Sequence, residues 1–189
     1  MHFIIKNKKF QLISGLLLLL LITRGHSLGD IIDLPDATLA VFFIGGVYLR
    51  KYLYAPIFFF AAFLSDNHAF ANGVSDHCYT PAYLFLIPTY MTLWVAGRRF
   101  QSLKLESLKH CITMAWTLAL ATSIAFILSS GSFSFLSGYY DHLTISEHIA
   151  RSSPYYIPYL LNTLIYMAGI IFVFNTKTYF VHSDGLQES

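Results

Sequence analysis

Two stretches of this sequence gather residue types that could hold a metal ion or a polar ligand. His68, Asp76, His77 and Cys78 fall in one, and Asp141, His142, Glu147 and His148 in the other. Imidazole, thiolate and carboxylate are the donors that zinc, nickel or cobalt accept, so a fold that joined the two stretches would offer a metal site built from His68, His77, Cys78 and His142. The spacing argues against it. Asp76, His77 and Cys78 are adjacent and point different ways on an extended chain, which suits a solvated, hydrogen-bonding loop better than a ligand set.

Asp66 is a sharper candidate, because it ends an apolar run, where an ionised carboxylate is costly unless it has a partner or a role. Asn162 is the amide within the last apolar run and would hydrogen-bond either a ligand or a neighbouring helix. Arg151 stands just before that run. Tyr155 and Tyr156 follow it, with Tyr139, Tyr140 and Tyr159 close by in a chain that is 17% aromatic. Such tyrosines serve an interfacial belt, with an apolar ring in lipid and a hydroxyl in water, or else a stacking wall for a flat ligand ring. No Gly-x-Ser-x-Gly, His-Glu-x-x-His or helically spaced carboxylate pair occurs in the apolar runs, and no His pair suits haem. Neither an enzyme nor a cofactor is expected.

The elements that must position these residues follow from composition. Of 189 residues 56% are apolar and 12% charged, and the mean hydropathy is +0.56, more than a soluble domain of this size needs for its core. A net charge of +2 is too small to argue for nucleic acid. The apolar runs predict an all-α integral membrane fold, a single domain of about six transmembrane helices near residues 10–28, 31–49, 52–70, 79–96, 110–130 and 154–174. The first run also has the length of a signal peptide's apolar region, with Gly25-His26-Ser27 as a cleavage pattern; Arg24, by snorkelling, lets it continue as a helix instead. Lys6, Lys8 and Lys9, then Arg50 and Lys51, then Arg98, Arg99, Lys104 and Lys109, then Lys177 all land on one side. That side is the cytoplasm by the positive-inside rule, so both termini are cytoplasmic and residues 24–36, 65–80 and 130–153 face outward. Cys78 and Cys111 then lie on opposite faces and cannot pair. The expected location is multi-pass, in a bacterial cytoplasmic (inner) membrane, with the lipid bilayer as a constant partner.

Tyr54-Ala-Pro-Ile-Phe-Phe-Phe-Ala-Ala-Phe-Leu-Ser-Asp66 resembles a segment of the substrate-binding (S) subunits of energy-coupling-factor (ECF) vitamin transporters, in which a Gly-Pro start leads through small residues to an outer Asp. Pro81-Ala-Tyr-Leu, running to Gly97-Arg-Arg99, is similar to the family helix that begins Pro-Gly-Phe-Thr and ends in a basic cytoplasmic turn. Helix number, orientation and size agree over most of residues 31–174. Ala55 and Ala82 stand where the family usually has Gly, and Phe58 to Phe60 where it has small residues, so the third helix would pack differently. The resemblance implies capture of a small molecule, a vitamin or vitamin precursor, by Asp66, Asn162, Arg151, Tyr155 and Tyr156. It also implies uptake through an energising module of a transmembrane coupling protein and ATPases. That module would dock on small residues of the second helix, here Ala37, Ala40, Gly45 and Gly46, although the two glycines could equally pack within the bundle. Leu34-Pro-Asp-Ala-Thr-Leu-Ala40 with Tyr48-Leu-Arg-Lys-Tyr-Leu-Tyr-Ala-Pro56 is similar to membrane-embedded sensor domains of bacterial signalling proteins. The alternative is therefore a sensor or assembly protein without transport activity, or a metal-binding membrane protein.

Overall fold

The structure, a computed structural model, describes residues 2–24, 34–72, 80–104, 107–140 and 142–184, with side chains except at 2–7, 174 and 176–184. The described residues are all-helical: α1 (His2–Arg24), α2 (Thr38–Tyr48), α3 (Ala55–Ala71), α4 (Leu86–Gly97), α5 (Leu108–Leu136), α6 (Ile145–Ser152) and α7 (Tyr156–Asp184). Single 3-10 turns lead into α3, α4 and α7. Pro56 stands in the first turn of α3, and Pro81 and Pro154 in the turns before α4 and α7. There the missing N–H costs nothing and the fixed φ suits the helix.

Successive long helices run in alternate directions, as the ties at their ends show. At one end Arg24, which closes α1, reaches Asp36 before α2, Asp66 near the end of α3 and Tyr90 early in α4. At the other, the Arg50 guanidinium donates to Phe100 O (3.1 Å), the Leu103 N–H to the Tyr48 hydroxyl (3.2 Å), and the Asn175 amide to Leu103 O (3.3 Å). Arg98 lies over the Tyr52 ring at 4.2 Å, closing the same end. The turn from α2 to α3 is tight enough to put Arg50 at φ 55°, a left-handed conformation rare outside glycine.

The central helix is α2, in which every residue from 38 to 47 is buried. It packs on α1, α3, α4 and α7, while α5 covers the far side of α4 and also meets α7. Its approach to α4 depends on glycine. A Cβ on Gly46 would fall 2.1 Å from Trp94 O, one on Gly45 2.5 Å from the Trp94 ring, and one on Gly97 2.1 Å from Phe43 O. Backbones this close are how helices gain dispersion energy where no hydrophobic force drives them together. Phe42 then stacks on Tyr90 (4.9 Å) and meets Phe59 edge-on (4.9 Å), so aromatic rings fill the space beside the glycine seam. Ala37, Ala40, Gly45 and Gly46, the small residues that the ECF resemblance sets out for docking, are all buried here. The chain's own helices occupy that face.

Two stretches, Leu108–Leu136 and Ile145–Val173, are long and apolar enough to cross a membrane. They leave Trp116, Leu120, Ile127, Ile165 and Phe172 exposed by more than 60% each, an apolar surface that suits lipid. By contrast α2 has 11 residues, about 16 Å of helix, and relies on its neighbours for cover. Several boundaries differ from the sequence expectation. The first helix already begins at His2, the second only at Thr38, after non-helical residues 34–37, and the last continues to Asp184. The fifth helix continues to Leu136, and a short helix, α6, occupies residues 145–152 where a loop was expected. A reciprocal capping box starts α6: the Glu147 N–H donates to Thr144 Oγ1, and Glu147 Oε2 accepts from the Thr144 N–H (2.7 Å).

Candidate functional site

The polar residues of the bundle converge on Arg24. Its Nε donates to Asp66 Oδ1 at 2.7 Å and its Nη2 to Asp66 Oδ2 at 2.9 Å, a two-pronged pair in which both side chains are almost covered, 12% and 15% exposed. Nη1 turns the other way, to Asp36 Oδ2 (3.0 Å), Thr38 Oγ1 (3.1 Å) and the Tyr90 hydroxyl (2.8 Å). The Tyr83 hydroxyl donates to Asp66 Oδ2 at 2.7 Å, and Asp36 Oδ1 accepts from the Thr38 N–H (2.8 Å) and hydroxyl (2.5 Å). Five segments thus meet in one network of charge-assisted hydrogen bonds. The Tyr166 hydroxyl, well inside α7, donates to Pro35 O (2.5 Å), so the network lies alongside the body of α7 and not beyond its end.

Next to this network a cavity of about 740 Å³ lies between α3 and the segment that leads into and forms α4. Its walls are apolar, among them Phe59, Phe63, Leu86 and Met91, and its polar groups belong to Arg24, Tyr52, Thr80, Tyr83 and Tyr90. Tyr83 is held by Phe63 edge-on (6.4 Å) and Tyr90 by Phe42, so both rings have fixed places in the wall. Small-molecule pockets have volumes of roughly 300–1,000 Å³ with mostly apolar walls and a few placed polar groups, and this one has that form.

The residues singled out in the sequence do not share one place. Asp66 belongs to the Arg24 network, just behind the cavity wall. Arg151 sits on the end of α5, with its guanidinium 3.6 Å over the Tyr140 ring and Nη2 3.2 Å from Ser134 Oγ. The Tyr156 and Ser123 hydroxyls share a hydrogen bond (2.8 Å) between α7 and α5, whereas Tyr155 is 67% exposed and Asn162 half-buried on α7. In the last turn of α3, His68 Nε2 lies 3.3 Å from the Asn72 amide. His142 is exposed, and Asp76, His77, Cys78 and Asp141 lie outside the described residues. Among the described residues no three His, Cys, Asp or Glu side chains come together as a metal site.

The residue that sequence reasoning passed over is Arg24, read there as a snorkelling cation at the end of the first helix. The signal was present: in the expected topology Arg24, Asp36 and Asp66 all fall at the outer ends of apolar runs, and a cation that shares a depth with two carboxylates pairs with them more readily than it reaches water. Tyr83, Tyr90 and Thr80 gave no such signal, because one sequence does not show which faces of α3 and α4 confront each other. No protein-family model matches this chain, and no curated protein matches it.

Proposed function

We propose that this chain is a membrane-embedded capture protein, holding a small molecule in the cleft between α3 and α4 for uptake. In this reading six helices cross a bacterial cytoplasmic membrane with both termini inside, the ligand is of the vitamin or vitamin-precursor class, and the chain is the substrate-binding subunit of an ECF-type transporter. An energising module of coupling protein and ATPases would complete it. The chain binds its ligand without converting it.

One observation carries the reading: a 740 Å³ cavity with mostly apolar walls, lined in part by Arg24, Tyr83 and Tyr90 of the buried polar network. Buried ionisable groups are expensive in a lipid-facing bundle, and a cavity beside them gives them a use. A second reading, a sensor or assembly protein that binds without transporting, is favoured by the burial of Ala37, Ala40, Gly45 and Gly46, which leaves no small-residue face on α2 for a coupling protein.

The test is thermal unfolding of the detergent-solubilised protein with a panel of vitamins, vitamin precursors and divalent metals. A ligand at 100 times its Kd adds about 2.7 kcal/mol to the native state, a readable shift in Tm. Stabilisation by one organic compound, together with co-purification of ATPases from the native membrane, supports capture for transport. Stabilisation without ATPases moves the function to sensing, a shift with metals alone replaces the ligand class, and no shift with any compound overturns the capture reading.

A further inference from the structure

We infer that the molecule held between α3 and α4 is an amphiphile with an uncharged, hydrogen-bonding end, and that it reaches the cleft sideways from the bilayer. This rests on the capture reading and names its ligand class.

The shape of the cleft supplies the first part. Its walls extend from Tyr52 and Ala55, at the start of α3, to Phe63, and on the facing side from Thr80 to Met91. Eleven residues of helix rise about 16 Å, so the space is elongated along the helix axes and suits a chain or a narrow ring system. Along its rim the side chains of Phe60 (61% exposed), Leu84 (68%) and Ile87 (53%) face outward from the flank of the bundle. A mouth edged by apolar side chains opens to lipid more readily than to water.

The charges supply the second part. One guanidinium and two carboxylates make the network formally −1. Asp66 and Asp36 engage all three nitrogens of Arg24 and outweigh its charge, so an anionic head would enter a net negative network with only the second Nη2 N–H to receive it. A cationic head fares no better, because Asp36 and Asp66 stand outside the lining, which presents Arg24 and hydroxyl groups. What remains open is neutral. Thr80 Oγ1 is buried with no hydrogen-bond partner among the described residues. The Tyr90 hydroxyl accepts from Arg24, and no described residue accepts its own proton. Two hydroxyls able to donate and accept complement a carbonyl or an alcohol.

The experiment uses three probes with one tail: 1-oleoylglycerol, oleate and oleylammonium, each titrated against the full chain in maltoside micelles with unfolding temperature and native mass spectrometry as readouts, and thiamine as a water-soluble fourth. Expected is saturable binding of 1-oleoylglycerol, weaker binding of both charged analogues, a loss of affinity of about fivefold in Thr80→Val, and loss of the shift in Leu84→Trp, which plugs the exposed rim without touching the core. Equal or tighter binding of oleate or oleylammonium overturns the neutral head, and binding of thiamine alone overturns access from the bilayer; capture stands in both cases. An unchanged shift in Leu84→Trp places the lipid elsewhere and overturns the site. Silence from all four probes overturns this inference, whereas capture itself falls only if the vitamin and metal panel is silent too.

Discussion

Arg24 and Asp66, from the ends of α1 and α3, meet fork to fork, Nε on Oδ1 at 2.7 Å and Nη2 on Oδ2 at 2.9 Å, both side chains nearly shut off from solvent. Removing one partner of such a pair strands the other charge, at a cost of about 3–5 kcal/mol. Asp66→Asn and Arg24→Gln should each destabilise the protein by that order, and the double variant by far less than their sum. Reversible unfolding in mixed micelles reads the cycle; additive losses would show that the pair contributes nothing as a pair.

Glycines at two kinds of position should respond with opposite signs to alanine. Gly46→Ala and Gly97→Ala force a methyl against backbone oxygen and should cost about 1–3 kcal/mol, because neither helix can yield alone. Gly131→Ala and Gly169→Ala, where a Cβ meets nothing within 4 Å, should be neutral or stabilising by up to about 1 kcal/mol through helix propensity. Unfolding temperatures of the four variants decide it, and a loss at all four would remove the close α2–α4 seam from the account.

The Ser123–Tyr156 hydrogen bond (2.8 Å) links two helices that lipid would surround. Bonds of this kind between membrane helices contribute only about 0.6 kcal/mol, since the unfolded helices find other partners. Tyr156→Phe should therefore be mild, with a coupling to Ser123→Ala of that size. A coupling several times larger would mean that the pair holds α5 and α7 in place.

Acid should loosen α6 before it affects the bundle. The Thr144 N–H, and next its hydroxyl, hold the Glu147 carboxyl below its ordinary value of 4.5. A depressed carboxyl pKa stabilises the folded form above the ordinary value, and the contribution is lost as pH falls through the lower, folded value. Protection of the 145–148 amides, taken relative to their intrinsic exchange rates at each pH, should fall below about pH 4.5 and stay constant with pH in Glu147→Gln. Equal acid sensitivity in that variant would place the titrating group elsewhere.

Helix content was legible in the sequence because long apolar runs broken by lysine and arginine leave few other folds. The hairpin at Arg50 and Lys51 and the prolines at 56, 81 and 154 mark where helices begin, and the structure uses them so. Asp66 stood out as a carboxylate in an apolar run, but its partner was missed, because Arg24 had been given to water and not to a neighbour at the same depth. Residues 144–152 were read as part of an outward loop although Thr144-Ile-Ser-Glu147 is a capping-box signature, and there the His and Glu residues drew more notice than their spacing. The cleft could not be read at all, since it lies between side chains of α3 and α4 that are brought together only in three dimensions.

The burial of α2 bears on how the protein is made. An 11-residue segment with two adjacent glycines is too short to cross a bilayer by itself, yet every residue from 38 to 47 ends buried. Its fit is completed by Trp94 and Gly97, which leave the ribosome later by on the order of seconds at ordinary elongation speeds. For that interval the future centre of the protein must shelter against α1 and α3 alone, and synthesis that stalls before α4 would release a chain whose centre is still uncovered.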